Sequence, residues 1–96
     1  MVVGVLRLTL RIDAAHSLKE KRMVVRSVVE RVRARFNAAA AEVDDHDTWN
    51  LATIGVACLS NEGAHAEAQL QAIVSAISSW RLDAELVEVE TEVITV

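Results

Sequence analysis

Residues 2–36 read VVGVLRLTLRIDAAHSLKEKRMVVRSVVERVRARF, and the spacing of the apolar residues changes within this stretch. From Val2 to Ile12 the period is two. Leu6, Leu8, Leu10 and Ile12 fall on one face, and Val5, Arg7, Thr9 and Arg11 on the other. That alternation predicts a strand with one buried face, apolar enough for a central place in a sheet. From Leu18 the period becomes helical, with Leu18, Val25, Val29, Val32 and Phe36 on one stripe. Ser17 stands at the N-cap position, and Glu20 is placed to reach back to the cap amide, the pattern of a capping box. The prediction is a helix over 18–36 with Asn37 as its C-cap.

Working outward, Ala38 to Val43 reads as a second strand, poor in β-formers. Asp44-Asp45-His46-Asp47 is a turn. Trp49 to Leu59 is the third strand, with Ile54, Val56 and Cys58 on one face and Leu51, Thr53 and Leu59 on the other. Gly55 marks a close backbone approach or a bulge. Ser60 and Asn61 offer caps for a second helix, whose stripe is Ala66, Leu70, Ile73, Ile77 and Trp80, closed by Arg81-Leu82-Asp83. Ala84 to Val96 alternates again. Val87, Val89, Thr91 and Val93 are expected to face the core, and Glu88, Glu90 and Glu92 the solvent.

The order β-α-β-β-α-β, with right-handed crossovers around each helix, predicts an α+β fold of ferredoxin-like type. Its sheet has four antiparallel strands in the order 4-1-3-2, with both helices on one face and a single domain over 1–96. This order sets the last strand beside the first. Arg7 and Arg11 then share the open face with Glu88, Glu90 and Glu92, in cross-strand pairs worth about 0.2–1 kcal/mol each.

Composition narrows the class. The chain has 96 residues, 52% of them hydrophobic, with no Pro and three Gly. These values argue for a packed domain and against a disordered one. A single Cys58 allows no internal disulfide and belongs to an apolar run, as an inert core thiol does. No run approaches the roughly 20 apolar residues of a membrane helix. Met1 to Ile12 carries Arg7 and Arg11 and lacks the leading charge and cleavage site of a signal peptide, so a cytoplasmic location is expected.

The net charge of −4 conceals an asymmetry. Residues 1–37 hold nine of the ten Lys and Arg, whereas residues 38–96 hold eleven of the fourteen acids. The sequence pI near 5.3 argues against a sequence-blind nucleic-acid coat but leaves room for a local basic surface. That surface is the first helix. Lys19, Arg22, Arg26 and Arg33 share about one third of its circumference, with Glu30 among them, while Lys21, Arg31 and Arg35 flank the apolar stripe. A guanidinium row contacts phosphates bidentately. It also serves as a solvated face or meets an acidic partner.

The remaining constellations are weaker. The open sheet face of RNA-recognition folds needs stacking aromatics, and this chain has only Phe36, Trp49 and Trp80, two of them on core stripes. The apolar part of that face, Val3, Val5, Leu51, Leu59 and Leu86, is a candidate interface, with Trp49 as a candidate contact anchor. His16 sits before the first helix, His46 in the acidic turn and His65 at the start of the second helix, and no pair has metal-ligand spacing. His46 with Asp44, Asp45 and Asp47 reads as a solvated turn. No nucleophile stands with a general base in a defined motif, and no glycine loop is present to cradle a phosphate. No catalytic residue, metal, cofactor or small-molecule substrate is expected.

The run His16-Ser17-Leu18-Lys19-Glu20-Lys21-Arg22-Met23-Val24-Val25-Arg26-Ser27 resembles the YlxP-like family, bacterial domain-of-unknown-function family 503. The likeness extends through Val2–Leu6, Arg33–Asn37, Ala41–Val43, Trp49, Gly55–Ala57, Ser60-Asn61 and Val87–Glu90. It implies a ferredoxin-like fold. Family genes often neighbour those for transcription termination, translation initiation and ribosome maturation, which implies an accessory role in ribosome or RNA metabolism. The resemblance implies no catalytic or ligand residues. The Ala-rich second strand and the extra acids of the turn depart from it.

The expectation is therefore a non-enzymatic protein that contacts RNA or a ribosomal component through Lys19, Lys21, Arg22, Arg26, Arg33 and Arg35, with His16 at the helix start. The alternative is a protein-interaction module, homodimeric through a sheet face or edge, that binds no nucleic acid. An uncatalogued small-ligand enzyme is a third class and requires a pocket holding a perturbed titrating group.

Overall fold

The computed structural model describes residues 1–13, 15–80 and 82–96. Its elements follow the expected order: β1 Val2–Arg11, α1 Leu18–Arg35, β2 Ala39–Asp44, β3 Leu51–Ser60, α2 Gly63–Ser79 and β4 Glu85–Thr95. The strands form one antiparallel sheet in the order β2-β3-β1-β4, which is the predicted 4-1-3-2 arrangement read from its other edge.

Parity along the strands decides where the core lies. Leu6, Leu8 and Leu10 of β1, with Ile12 just beyond it, are buried on the helix side with Ile54, Val56 and Cys58 of β3. Val25, Val28, Val29 and Val32 of α1 and Leu70, Ile73 and Ile77 of α2 close over them. Each large apolar side chain so buried contributes about 1.5–3 kcal/mol relative to exposure.

Four boundaries differ from the sequence reading. α1 stops at Arg35, because Phe36 takes extended dihedrals and caps the helix through its backbone N–H to Val32 O; Asn37 lies beyond the cap. α2 begins after Glu62, which makes no side-chain cap hydrogen bond. Ser60 instead accepts from the Glu62 N–H, so neither Ser60 nor Asn61 is the N-cap. The helix ends at Ser79 with Trp80 as its cap, and Arg81 of the expected closing segment falls outside the described residues. Trp49 precedes β3, in the connection from β2.

The largest departure is in β4. Its register against β1 shifts between Thr9 and Leu10: Thr9 faces Glu88, and Leu10 faces Leu86. One extra residue in a strand reverses which face every later side chain takes. Leu86, predicted on the open face with the glutamates, therefore lies half-buried against the core. Val87, predicted to be buried, is 45% exposed. Val89 and Val93 do turn toward the helix side, as partners of Leu8 and Gly4, yet keep about two fifths of their surface in solvent. The expected buried valine face of β4 is largely uncovered.

Candidate functional site

α1 lies against the sheet with its Val stripe inward, and that orientation sorts its cations. Lys19, Arg22, Met23, Arg26, Ser27 and Glu30 line one open groove on its outward face, walled by the side chains of this helix alone. Lys19, Arg22 and Arg26 are exposed, and none lies within ion-pair distance of a carboxylate among the described residues. A helix advances about 1.5 Å per residue, so Lys19 and Arg26 stand about 10 Å apart along the axis, with Arg22 between them. Met23 is 66% exposed in the same groove, an apolar side chain among cations. Arg35 is exposed in the last turn, where a cation also complements the helix dipole.

Two of the predicted contact residues are engaged elsewhere. Arg33 donates from Nη2 to the Ala40 carbonyl at 2.7 Å, which ties its head to the β2 edge. Lys21 is fully buried. Its Nζ donates to the carbonyls of Asp45 at 2.6 Å, His46 at 3.3 Å and Thr48 at 2.8 Å, and lies 3.0 Å from Glu42 Oε2. An ammonium has three protons, and the three carbonyls take them. Glu42 Oε2 is thus a charge partner without a hydrogen bond of its own. Lys21 belongs to the interior as the post on which the β2–β3 connection is built, and it is unavailable to any ligand.

The start of α1 is equally constructed. Ser17 Oγ accepts from the Glu20 N–H at 3.2 Å, and Glu20 Oε2 accepts from the backbone N–H of His16 at 2.6 Å, one residue earlier than the cap amide predicted. The His16 ring rests against Trp49, with centroids 6.3 Å apart. Trp49 is 45% exposed beside it. The most recognisable run of the sequence, His16 to Arg22, therefore does two jobs. Its inward members knit the helix start to the β2–β3 connection, and its outward members Lys19 and Arg22 begin the basic groove. Replacing Ser17 with Ala is expected to lower stability by about 1 kcal/mol in a denaturant melt, the usual cost of a lost N-cap.

The sheet face opposite the helices differs in character along its length. At one end Leu59, Val3 and Ile94 lie in register across β3, β1 and β4, with Val5 and Ala57 in the next row. Leu59 is 65% exposed, while Val3 and Val5 are half-buried. Toward the other end the face is charged, and Leu51 is half-buried at its limit. Arg7 is registered opposite Glu90 but pairs at 3.2 Å with Asp44, reaching it across Gly55 of β3. Arg11 pairs with Glu85 and, at 3.3 Å, with Asp13. The predicted partners Glu88, Glu90 and Glu92 are left without an ion pair among the described residues.

The acidic turn is satisfied internally. Asp45 Oδ2 accepts from the Thr53 hydroxyl at 2.7 Å, and Asp44 Oδ1 accepts from the Asp45 N–H at 2.8 Å. His65 Nδ1 lies 3.2 Å from Ser60 Oγ. Among the described residues, no three His, Cys, Asp or Glu side chains gather as metal ligands, and no helix is long and apolar enough to cross a membrane.

Comparison with known proteins places the sequence. Over 66 residues, 69% of this chain and 72% of the relative, the sequence is 36% identical to the uncharacterised protein YlxP of Bacillus subtilis (strain 168). The family model for the proteins of unknown function called DUF503 matches residues 3–91, from the second residue of β1 to the middle of β4. The chain belongs to the DUF503 family.

Proposed function

We propose that this protein is a non-enzymatic, cytoplasmic accessory factor that docks on RNA or a ribonucleoprotein through the outward face of α1. The observation that carries the reading is the row Lys19, Arg22 and Arg26, three exposed cations in one groove with no internal carboxylate partner among the described residues. Solvated side chains of this kind are free to neutralise phosphates, and each neutralised phosphate releases counterions. The acids Glu88, Glu90 and Glu92 lie on the open face of the sheet, on its far side from the helices, so they do not oppose a polyanion approaching α1. The groove holds no aromatic side chain. The contact it supports is with the phosphate backbone rather than with stacked bases. The ribosomal direction comes from the gene neighbourhood that the family resemblance implies.

The test is co-sedimentation of the intact protein with ribosomal subunits and with total RNA at about 50 and 200 mM salt. Three or four phosphate contacts predict an affinity loss of about two orders of magnitude over that range. The double reversal Arg22→Glu with Arg26→Glu is expected to abolish binding while leaving the far-UV circular dichroism unchanged, because both side chains are exposed. Binding that ignores salt, or that survives the reversal, refutes the assignment to α1.

A further inference from the structure

We infer that the free edge of β4 is a docking site for an extended polypeptide segment that alternates basic and apolar residues. The two edges of this sheet are finished differently. At β2 the strand is six residues long, it bulges between Glu42 and Asp44, and Arg33 occupies the Ala40 carbonyl. A short edge, a bulge and an arginine laid on it are ways of blunting an edge against further pairing. β4 lies at the opposite end of the order and runs for eleven residues. Its one bulge is near its start, and from Glu88 to Thr95 it pairs with β1 in unbroken register. Among the described residues, the outer backbone groups of that eight-residue run have no strand beside them.

The side chains of the run specify what kind of strand would fit. On the open face stand Glu88, Glu90 and Glu92, without ion pairs among the described residues, because Arg7 is drawn to Asp44 and Arg11 to Glu85 and Asp13. On the helix side Val89 and Val93 are 40% and 38% exposed, because the helices do not reach far enough to cover them. A strand added here sets its alternate side chains beside these two rows. Cations on one face answer the glutamates, and apolar residues on the other cover the valines. Strand addition draws affinity from the main chain and specificity from such alternate positions. A second copy of this chain fits poorly over the middle of the run. Antiparallel self-pairing centred on Thr91 sets Glu90 opposite Glu92 of the other copy, and like charges directly opposed across strands are destabilising.

The probe is an acetylated, fluorescein-labelled peptide, Lys-Val-Lys-Thr-Lys-Val-Lys, titrated into the intact protein and read by anisotropy and by amide shifts of the 15N-labelled chain. Saturable binding is expected, with the shifts concentrated on Glu88–Val93. N-methylation of the peptide at alternate amides, which leaves charge and the protein untouched, should weaken binding at least tenfold when it falls on the bonding edge. Glu90→Lys with Glu92→Lys should weaken it by a similar factor. Three outcomes overturn the inference: no binding; equal binding of peptides N-methylated in either phase; or sedimentation showing a dimer that buries the same edge, which would make a second copy the occupant.

Discussion

Lys21→Met is expected to be the most damaging single substitution on the surface of α1 as drawn from sequence, because that position is not on the surface. The methionine fills much of the same channel but brings no proton and no charge. The carbonyls of Asp45, His46 and Thr48 lose a charged donor, and the Glu42 carboxylate, whose side chain is 15% exposed, loses the one cation that pairs with it among the described residues. Breaking one partner of a buried pair costs about 3–5 kcal/mol. Against a total stability of about 5–15 kcal/mol, that is a large share. For a domain of this size it lowers Tm by at least about 12 °C. Urea melts of both proteins measure it, and a loss below about 1 kcal/mol would refute the role assigned to Lys21.

The same substitution separates architecture from recognition. Lys21→Met with Glu42→Gln removes the uncompensated charge and should recover part of the loss. A coupling of about 1–3 kcal/mol is expected between the two positions. The three carbonyls remain without their donor, so recovery is incomplete. Lys21→Arg is not a conservative rescue, since a planar fork cannot serve three carbonyls converging on one point. Below its melting transition Lys21→Met should still bind RNA with the salt dependence of the parent, whereas Arg22→Glu with Arg26→Glu should melt normally and fail to bind. Neighbours in sequence then differ entirely in what they do.

What was legible in the sequence follows from which signals are periodic. The strand β1, the helix α1 and the stripe of α2 announce themselves by apolar spacing, and the crossover rule then orders the sheet. Lys21 reads as a flank of the basic face when its charge is weighed above its position. Its position was the better guide: Leu18, Lys21, Val25, Val28 and Val32 recur at +3, +4, +3 and +4, so Lys21 occupies a core slot of the stripe. A cation in such a slot, in a chain with an acidic and carbonyl-rich turn, is the signature of a buried post. The bulge in β4 also left a trace. Leu82, Ala84 and Leu86 share one parity and Val87, Val89 and Val93 the other, so the apolar face changes sides between Leu86 and Val87. Assuming unbroken alternation placed Leu86 on the wrong face. The diversion of Arg7 from Glu90 to Asp44 left no trace, because it depends on the β2 bulge, which lays Val43 over Gly55 and brings Asp44 within reach.

Gly4→Val should cost about 3 kcal/mol, the upper end of what overpacking a core does. Gly4 lies mid-row on the helix side of the sheet, between Cys58 of β3 and Val93 of β4. A Cβ at this position would stand 2.9 Å from the Cys58 sulfur and 3.3 Å from two carbons of Leu70, a fully buried residue of α2. Two effects oppose each other. Glycine within a strand is itself unfavourable by about 0.5–1 kcal/mol relative to alanine, so any side chain gains that much. The crowding is larger, because both obstacles are core atoms and valine adds two γ-methyls to a Cβ that is already too close to them. Even Gly4→Ala is therefore expected to destabilise, by about 1 kcal/mol. The cause is identified by moving the volume across the row: Gly4→Ala combined with Cys58→Ala exchanges a sulfur for a methyl group in nearly the same space. The pair should be more stable than the sum of the two single changes by about 1 kcal/mol. Strict additivity would place the strain at Leu70 instead, and a Gly4→Ala protein more stable than the parent would mean that α2 yields freely, with strand propensity deciding the sign.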